Sequence, residues 1–453
     1  MTAPASPTPS TGSLPAAHPA HHLALAVADM LADPADMRYS SAAGEAVRRQ
    51  SLAYGAPGIA LLHIELAARG ERPWARAHHW LAYATGRPVA SGPDSHPFYG
   101  APAVAHALAC AADAQPGSYG RALEALDTVI WADARARLET AHARIDASAL
   151  PALAEFDTIR GLAGIGSYLL RRDGDGDLIR RLLAYLVRLT EPVRSPWKDQ
   201  DGMLLPGWWT ATGPSGRLED DFPRGHGNNG LAHGIAGPLA LLSAAALRGV
   251  TVDGHHTAIH TILAWFDRCL TGTGSGPAWP YTITHPGQAA SRKPPAAAAR
   301  PSWCYGAAGI ARAQQLAALA LGDTHRRDSA ETILARALAD PLQRQATTDS
   351  SLCHGFAGLA HLAAVTAADA TPGNTGRLAA VIPGLLDAVH PPGGGSREAA
   401  AVVHQTAAPA QFLEGAAGIA LAVLAPATGT PACTGWDGCL LTTHPTTPQE
   451  GPL

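Results

Sequence analysis

The chain has 453 residues, 47% of them hydrophobic and 15% charged, with a formal net charge of −4 at pH 7. That apolar content excludes a wholly disordered chain, and a near-neutral balance with no block of five or more Lys/Arg excludes an electrostatic footprint for nucleic acid. No stretch reaches the roughly 18 consecutive apolar residues that span a bilayer, and six cysteines (110, 269, 304, 353, 433, 439) are too sparse for a disulfide scaffold; the expectation is a cytoplasmic protein whose clustered cysteines are metal ligands or catalytic thiols.

Residues 1–20, rich in Ala, Pro, Ser and Thr, lack the basic start and continuous apolar stretch of a secretory signal and read as a disordered tail. Residues 21–440 then carry one repeated unit. A Gly-x-x-Gly turn followed by apolar residues at helical spacing recurs as YGAPGIALL (Gly55), YGAPAVAHAL (Gly100), RGLAGIGSYLL (Gly161), HGIAGPLALL (Gly234), YGAAGIARA (Gly306), HGFAGLAHLAA (Gly355) and EGAAGIALAV (Gly415). The first glycines lie 45, 61, 73, 72, 49 and 60 residues apart, enough for two helices and their loops in each interval. The second helix is marked in places, as in LIRRLLAYLVRL (178–189) and HTAIHTILAWFDRCL (256–270). In the second copy Ala103 replaces the second glycine, which predicts an inner helix without function. Long loops at 196–228 and 271–301 carry Trp197, Trp208 and Trp209 beside charged residues, suited to surface packing more than to holding a peptide leader. Residues 441–453 read as a flexible C-terminal tail.

Seven helix pairs of even length without a polar capping repeat at the end predict an all-α fold, an α/α toroid of about 14 helices whose inner helices start at the Gly-x-x-Gly turns. Glycine is expected there for positive φ and close backbone approach. Residues just ahead of each glycine should then line one common face.

Reactive residue types concentrate at that face: Asp157, His233, Cys304, Tyr305, Cys353, His354 and Glu414. Cys304 and Cys353 each lie two residues before a first glycine, so adjacent repeats bring the thiols together with His354. Two thiolates and an imidazole suit Zn²⁺ and leave a fourth tetrahedral position open, as catalytic zinc requires. Nearby helix N-termini favour the thiolate forms. Cys110 and Cys269 sit in apolar helical patterns and are expected in the core, while Cys433 and Cys439 carry no specific role. An Asp ahead of a helix is often a cap, so Asp157 can serve there as well. His226 and His404 stay unassigned.

These residues resemble the lanthionine synthetase C-like proteins, the cyclases of class I lanthipeptide biosynthesis. The resemblance rests on SWCYGAAGIA (302–311), LCHGFAGLAHL (352–362), NNGLAHGIAGPLALL (228–242), FDTIRGLAGIGSYLL (156–170), FLEGAAGIAL (412–421) and a terminal Trp-Asp (436–437), from about residue 40 onward. It implies a seven-fold toroid with a central zinc held by Cys304, Cys353 and His354. It also implies that His233 and Asp157, with Arg300 four before Cys304 and Tyr305 after it, form the catalytic set. In the family, cysteine thiols of a precursor peptide with a leader segment add to dehydroalanine or dehydrobutyrine made earlier by a separate dehydratase, giving lanthionine and methyllanthionine thioether rings. With no room for a dehydratase or kinase domain in 453 residues, a stand-alone cyclase is expected. Alternatives are a glutathione-type thiol transferase acting on dehydroamino acids in proteins, or a non-catalytic toroid presenting a peptide. Asn229 departs from the family's usual apolar residue and is expected to alter packing beside His233.

Overall fold

A computed structural model describes residues 17–36, 42–174, 176–198, 202–273, 276–284, 300–391, 393–395 and 410–443. Seven inner helices follow the seven glycine turns: Ala56–Ala68, Ala101–Ala114, Leu162–Arg172, Ala236–Leu247, Ala307–Leu321, Phe356–Ala368 and Ala416–Thr428. Consecutive ones pack side by side, and the last packs against the first, so the ring is closed. Most are buried on nearly every side because each is covered by two neighbours and an outer helix; in Ala56–Ala68 every residue from Ala56 to Ala67 is buried.

Outer helices carry a single apolar stripe. Gly120–Asp146 buries Leu123, Asp127, Ile130, Ala134, Leu138 and Ala141, at steps of three and four, Asp127 being paired there with Tyr168 and Arg172. The other outer helices are Trp74–Thr85, Asp177–Arg188, His255–Cys269, Thr324–Ala339 and Pro372–Val389. Two of these match the second-helix segments expected at 178–189 and 256–270 to within one residue at each end. The last inner helix has no outer partner downstream. Its partner is the N-terminal helix Ala20–Met30, which buries Ala20, Leu23, Ala24, Val27 and Ala28 against it. His18 fastens this closure, its backbone N–H donating to Ala427 O (2.9 Å) and its ring pairing with Asp387 (3.1 Å). The tail expected over 1–20 therefore overlaps this docking at residues 17–20; residues 1–16, like 444–453 of the expected C-terminal tail, lie outside the described residues.

The glycines act in a way only partly foreseen. Gly100 alone among the seven first glycines has positive φ (72°). Gly306 and Gly355 have extended backbones, and what excludes a side chain there is crowding: a Cβ on Gly306 would lie 2.0 Å from Ser302 N, and one on Gly355 2.1 Å from Ser351 N. The second glycine is equally tight in the six turns that have one, with a Cβ on Gly418 placed 1.5 Å from Phe412 O. Gly418→Ala is expected to destabilise the ring by about 3 kcal/mol, because the clash is with backbone that cannot rotate away; a urea titration with an unchanged midpoint contradicts this.

The terminal Trp-Asp is a plug inside the ring. Trp436 is buried, with its ring 4.8 Å from that of His361, and Asp437 accepts a bond from His361 Nε2 (3.0 Å). Trp303 Nε1 donates to Leu440 O, and His106 Nε2 to Trp436 O. Cys439 is buried in this plug, Cys433 lies within 3.5 Å of Glu65 Oε1, and Cys110 and Cys269 are core residues as expected. Trp208 and Trp209 are buried too, Trp208 edge-on to Trp265, so neither is open to a peptide leader. The 191–284 excursion also contains three two-stranded antiparallel ribbons, Val193–Arg194 with Leu204–Leu205, Gly227–Asn228 with Thr282–Ile283, and Thr271–Thr273 with Gly276–Ala278.

Candidate active site

The turns that start the inner helices are tied into a belt. Leu52 N–H donates to Phe98 O, Thr158 to Ala232 O, Ala232 to Cys304 O, Trp303 to Cys353 O, Cys353 to Leu413 O and Phe412 to Ala53 O, at 2.9–3.2 Å. The remaining gap, between the second and third copies, is bridged by the His96 ring to Ile159 O (3.1 Å). Each acceptor lies two residues before its first glycine, so the belt sets the height and spacing of that whole tier. At about 1 kcal/mol net per bond, its value lies in positioning more than in stability.

A cavity of about 990 Å³ opens over this belt. All seven residues one before the first glycines line it: Tyr54, Tyr99, Arg160, His233, Tyr305, His354 and Glu414. So do all seven two before, among them Cys304 and Cys353. The common face expected from the repeat is present in full. What aims the upper tier is a side chain four residues before the glycine. Ser51, Ser302 and Ser351 accept with Oγ from the backbone N–H of Tyr54, Tyr305 and His354 (3.0–3.3 Å), and Asp157 Oδ1 accepts from Arg160 N (2.6 Å) and Gly161 N (2.8 Å).

Asp157 thus does two things at once. Its Oδ1 caps the turn, as the three serines do, while Oδ2 meets His233 Nδ1 at 2.6 Å. Asp157 is buried (1% of its side chain exposed) and His233 is 31% exposed, so the carboxylate is fixed and the imidazole reaches the cavity. With Nδ1 committed to Asp157, Nε2 is the nitrogen left to act. Tyr305 lies tilted between His233 and Tyr281, ring centres 6.0 Å from each, and burial raises its hydroxyl far above the usual phenol range. Asn229 is a packing residue, holding Trp265 Nε1 with Oδ1 and Pro280 O with Nδ2, both at 2.8 Å.

Cys304 and Cys353 are both buried in adjacent turns, and Cys304 Sγ donates to Ser302 Oγ (3.5 Å). The neighbouring Cys353, aided by Ser302 and His354, holds the Cys304 thiol well below its ordinary value against the opposing effect of burial; Cys353, beside a sulfur that ionises more readily and itself buried, is pushed well above. His354 Nδ1 meets Asp349 Oδ2 at 2.8 Å, and this raises the imidazole while the same bond, with Ser351, holds Asp349 far below the carboxylate range despite burial. His354 Nε2 is 3.6 Å from Glu414 Oε1. Among the described residues no three or more His, Cys, Asp or Glu side chains close around one ion position.

Arg300 faces this cluster, 3.6 Å from Asp349 Oδ2. Sequence reasoning missed Asp349. Its signal was register, since Arg300 and Asp349 each lie six residues before a first glycine, and adjacent repeats pair them. His226 is a core histidine, buried with Nδ1 on Thr212 O (2.7 Å), and His404 lies outside the described residues.

Two buried histidines predict acid sensitivity. Burial, with the Arg160 charge adding to it, lowers His96 to about 4, and burial lowers His63, bonded to Leu31 O, to about 4 as well. At pH 5–6 both are neutral when folded, whereas the unfolded chain binds two protons. Stability should therefore fall with acidification from about pH 6.5 to 4, by up to about 1.4 kcal/mol per pH unit for each histidine. Urea midpoints at pH 7, 6 and 5 would show this, and His96→Asn should remove about half the slope.

Known proteins are similar to this chain in sequence and in fold. The chain is 29% identical over 209 residues to the Nisin biosynthesis protein NisC of Lactococcus lactis subsp. lactis, an alignment covering 45% of this chain and 47% of that protein, so that the match spans about half the relative's length. The solved structure of a nisin cyclase superposes with a TM-score of 0.69 at 21% identity, covering 87% of this chain and 93% of that one; at such identity it shows the shared fold. Residues 46–441 match the sequence pattern described as lanthionine synthetase C-like protein, which takes in all seven turns and the plug. The chain belongs to the lanthionine synthetase C-like protein family.

Proposed function

We propose that this chain is a lanthipeptide cyclase, adding a peptide cysteine thiol to dehydroalanine or dehydrobutyrine in the same precursor to close a thioether ring. The observation that carries this reading is the opposition, within one cavity, of a buried thiol pair with an imidazole and of a carboxylate-held imidazole. Cys304, Cys353 and His354 would hold zinc. Their chemistry fits the ion: two soft sulfurs from adjacent turns lining one cavity, and an imidazole whose Nδ1 is engaged by Asp349, which orients Nε2 as the donor, as metal-binding histidines commonly are. When bound, zinc lowers the pKa of a substrate thiol so that it is a thiolate at neutral pH.

The chain's own residues supply the rest. As the sulfur bonds to the β-carbon, the electron pair of the double bond moves toward the adjacent carbonyl. Arg300, whose guanidinium lines the cavity, would offset charge on that oxygen. His233, held through Nδ1 by Asp157, would in its protonated form deliver a proton from Nε2 to the α-carbon. The thiol has lost one proton and the α-carbon gains one, so the addition is balanced. Tyr305, packed on His233, would keep the imidazole plane in place and hold water away. The peptide would reach the enzyme already dehydrated by a separate dehydratase.

Incubating the metal-loaded protein with a synthetic peptide bearing one cysteine and one dehydroalanine tests this. Ring closure leaves the mass unchanged and protects the thiol from alkylation. Addition of external glutathione in preference to closure would show a transferase instead, and neither product would show a non-catalytic toroid.

A further inference from the structure

Of the seven residues that stand one before the first glycines, the reaction above uses His233, Tyr305 and His354. The other four are consecutive around the ring, because the belt joins the seventh turn to the first, the first to the second and the second to the third. Glu414, Tyr54, Tyr99 and Arg160 therefore form one arc that starts beside His354 and ends beside His233. Glu414 is half exposed and stands 3.6 Å from His354 Nε2. Tyr54 is 49% exposed, and among the described residues neither its hydroxyl nor that of Tyr99 has a hydrogen-bond partner. Arg160 is exposed, and its guanidinium has no partner among the described residues, although a neighbour, Arg137, is engaged by Asp133 and three carbonyls. Nothing in the fold's own packing calls for an open guanidinium at one end of the arc, a carboxylate at the other and two phenols between.

Ring closure constrains what the arc can be for. The two reacting residues must meet on the Tyr305 side, with the sulfur near His354 and the dehydroamino acid near His233. The segment that joins them is thereby forced over the opposite side, along this arc. Resting on the cyclase reading, we propose that the arc is a peptide-orienting subsite: Glu414 receives a basic residue next to the reacting cysteine, Arg160 receives an acidic residue next to the dehydroamino acid, and Tyr54 and Tyr99 pack on the segment between. Aromatic faces give contact area at low entropic cost, and charges of opposite sign at the two ends select direction. Asp94 also lines the cavity and opposes Arg160 in sign, so it is removed in parallel as Asp94→Asn.

The test is binding of unreactive fluorescent peptides, with serine in place of dehydroalanine, to the full metal-loaded chain. Three peptides differ only beside the cysteine, carrying Lys, Ser or Glu; three more differ only beside the serine, carrying Glu, Ser or Lys. In the parent protein the Lys-by-cysteine and Glu-by-serine peptides should bind about fivefold tighter than their neutral counterparts, the scale of an exposed charge pair. Glu414→Gln should level the first series and Glu414→Lys invert it, while the second series keeps its order; Arg160→Gln and Arg160→Glu should do the same for the second series alone. Unchanged ratios in these variants, or no binding of any peptide, overturn the subsite. Circular dichroism and a urea midpoint exclude misfolding at these exposed positions. Alkylation-monitored closure of the dehydrated neutral peptide reports separately: charge preference without closure refutes the cyclase and leaves the subsite standing, and closure without charge preference does the reverse.

Discussion

Cys353→Ala is expected to abolish ring closure and to weaken zinc binding by more than about a hundredfold, beyond the 10–100-fold that loss of an outer partner typically costs. The substitution removes one of the two sulfurs of the set, and leaves Cys304 without the neighbouring thiol that holds it low. Backbone consequences should be small, because the belt bonds made by Cys353 use its N–H and C=O and survive in alanine. Asp349→Asn grades the same effect: the thiols stay, but His354 Nδ1 loses its anionic partner, and zinc affinity should fall about 10–100-fold with a smaller loss of closure. Metal content after dialysis against a competing chelator, with mass spectrometry of the product, measures both. A Cys353→Ala protein that keeps about one zinc per chain and still closes rings would refute the assignment of Cys304, Cys353 and His354.

At the other wall, His233→Ala should retain the metal and lose about 10²–10⁴-fold in closure rate, the range that a positioned proton donor contributes. Asp157 allows its two duties to be separated. Asp157→Asn keeps an acceptor oxygen for Arg160 N and Gly161 N, so the turn persists, yet it replaces the anionic partner of His233 Nδ1 with a neutral amide. Its closure rate should fall while its stability stays close to that of the parent. Asp157→Ala loses both, and should cost a further 1–2 kcal/mol or so as a cap and buried-partner loss. The contrast is read from initial closure rates beside urea midpoints. Equal rates in Asp157→Asn and the parent would leave Asp157 as a turn cap only.

The ring, its seven units and the convergence of residues just ahead of the glycines were legible because each depends on local periodicity repeated at a fixed place. The pairing of Cys304 with Cys353 follows from register alone, and the same register, six and four positions before the glycines, encodes the pairing of Arg300 with Asp349 and the capping role shared by Ser51, Asp157, Ser302 and Ser351. Asp157 illustrates the limit of that reasoning. Its place in the turn is a repeat property, whereas its bond to His233 joins neighbouring copies whose glycines are 73 residues apart and depends on how they sit side by side.

Three features were settled by tertiary structure alone. The N-terminal helix Ala20–Met30 closes the ring as outer partner of Ala416–Thr428, about 400 residues away, and carries no glycine turn to reveal it. The terminal Trp436-Asp437 acts through a buried His361, a contact that no spacing encodes. Most glycines of the seven turns are needed because backbone four to six residues away crowds them and not for positive φ, which a composition of turns does not distinguish. The amino-acid sequence determined the repeat, the α-helical class and which residue types meet at one face, because these follow from hydrophobic spacing and register. Which atoms face which, and how one carboxylate serves a turn with one oxygen and an imidazole with the other, required the closed ring, since hydrogen-bond geometry is set by the relative placement of elements distant in the chain.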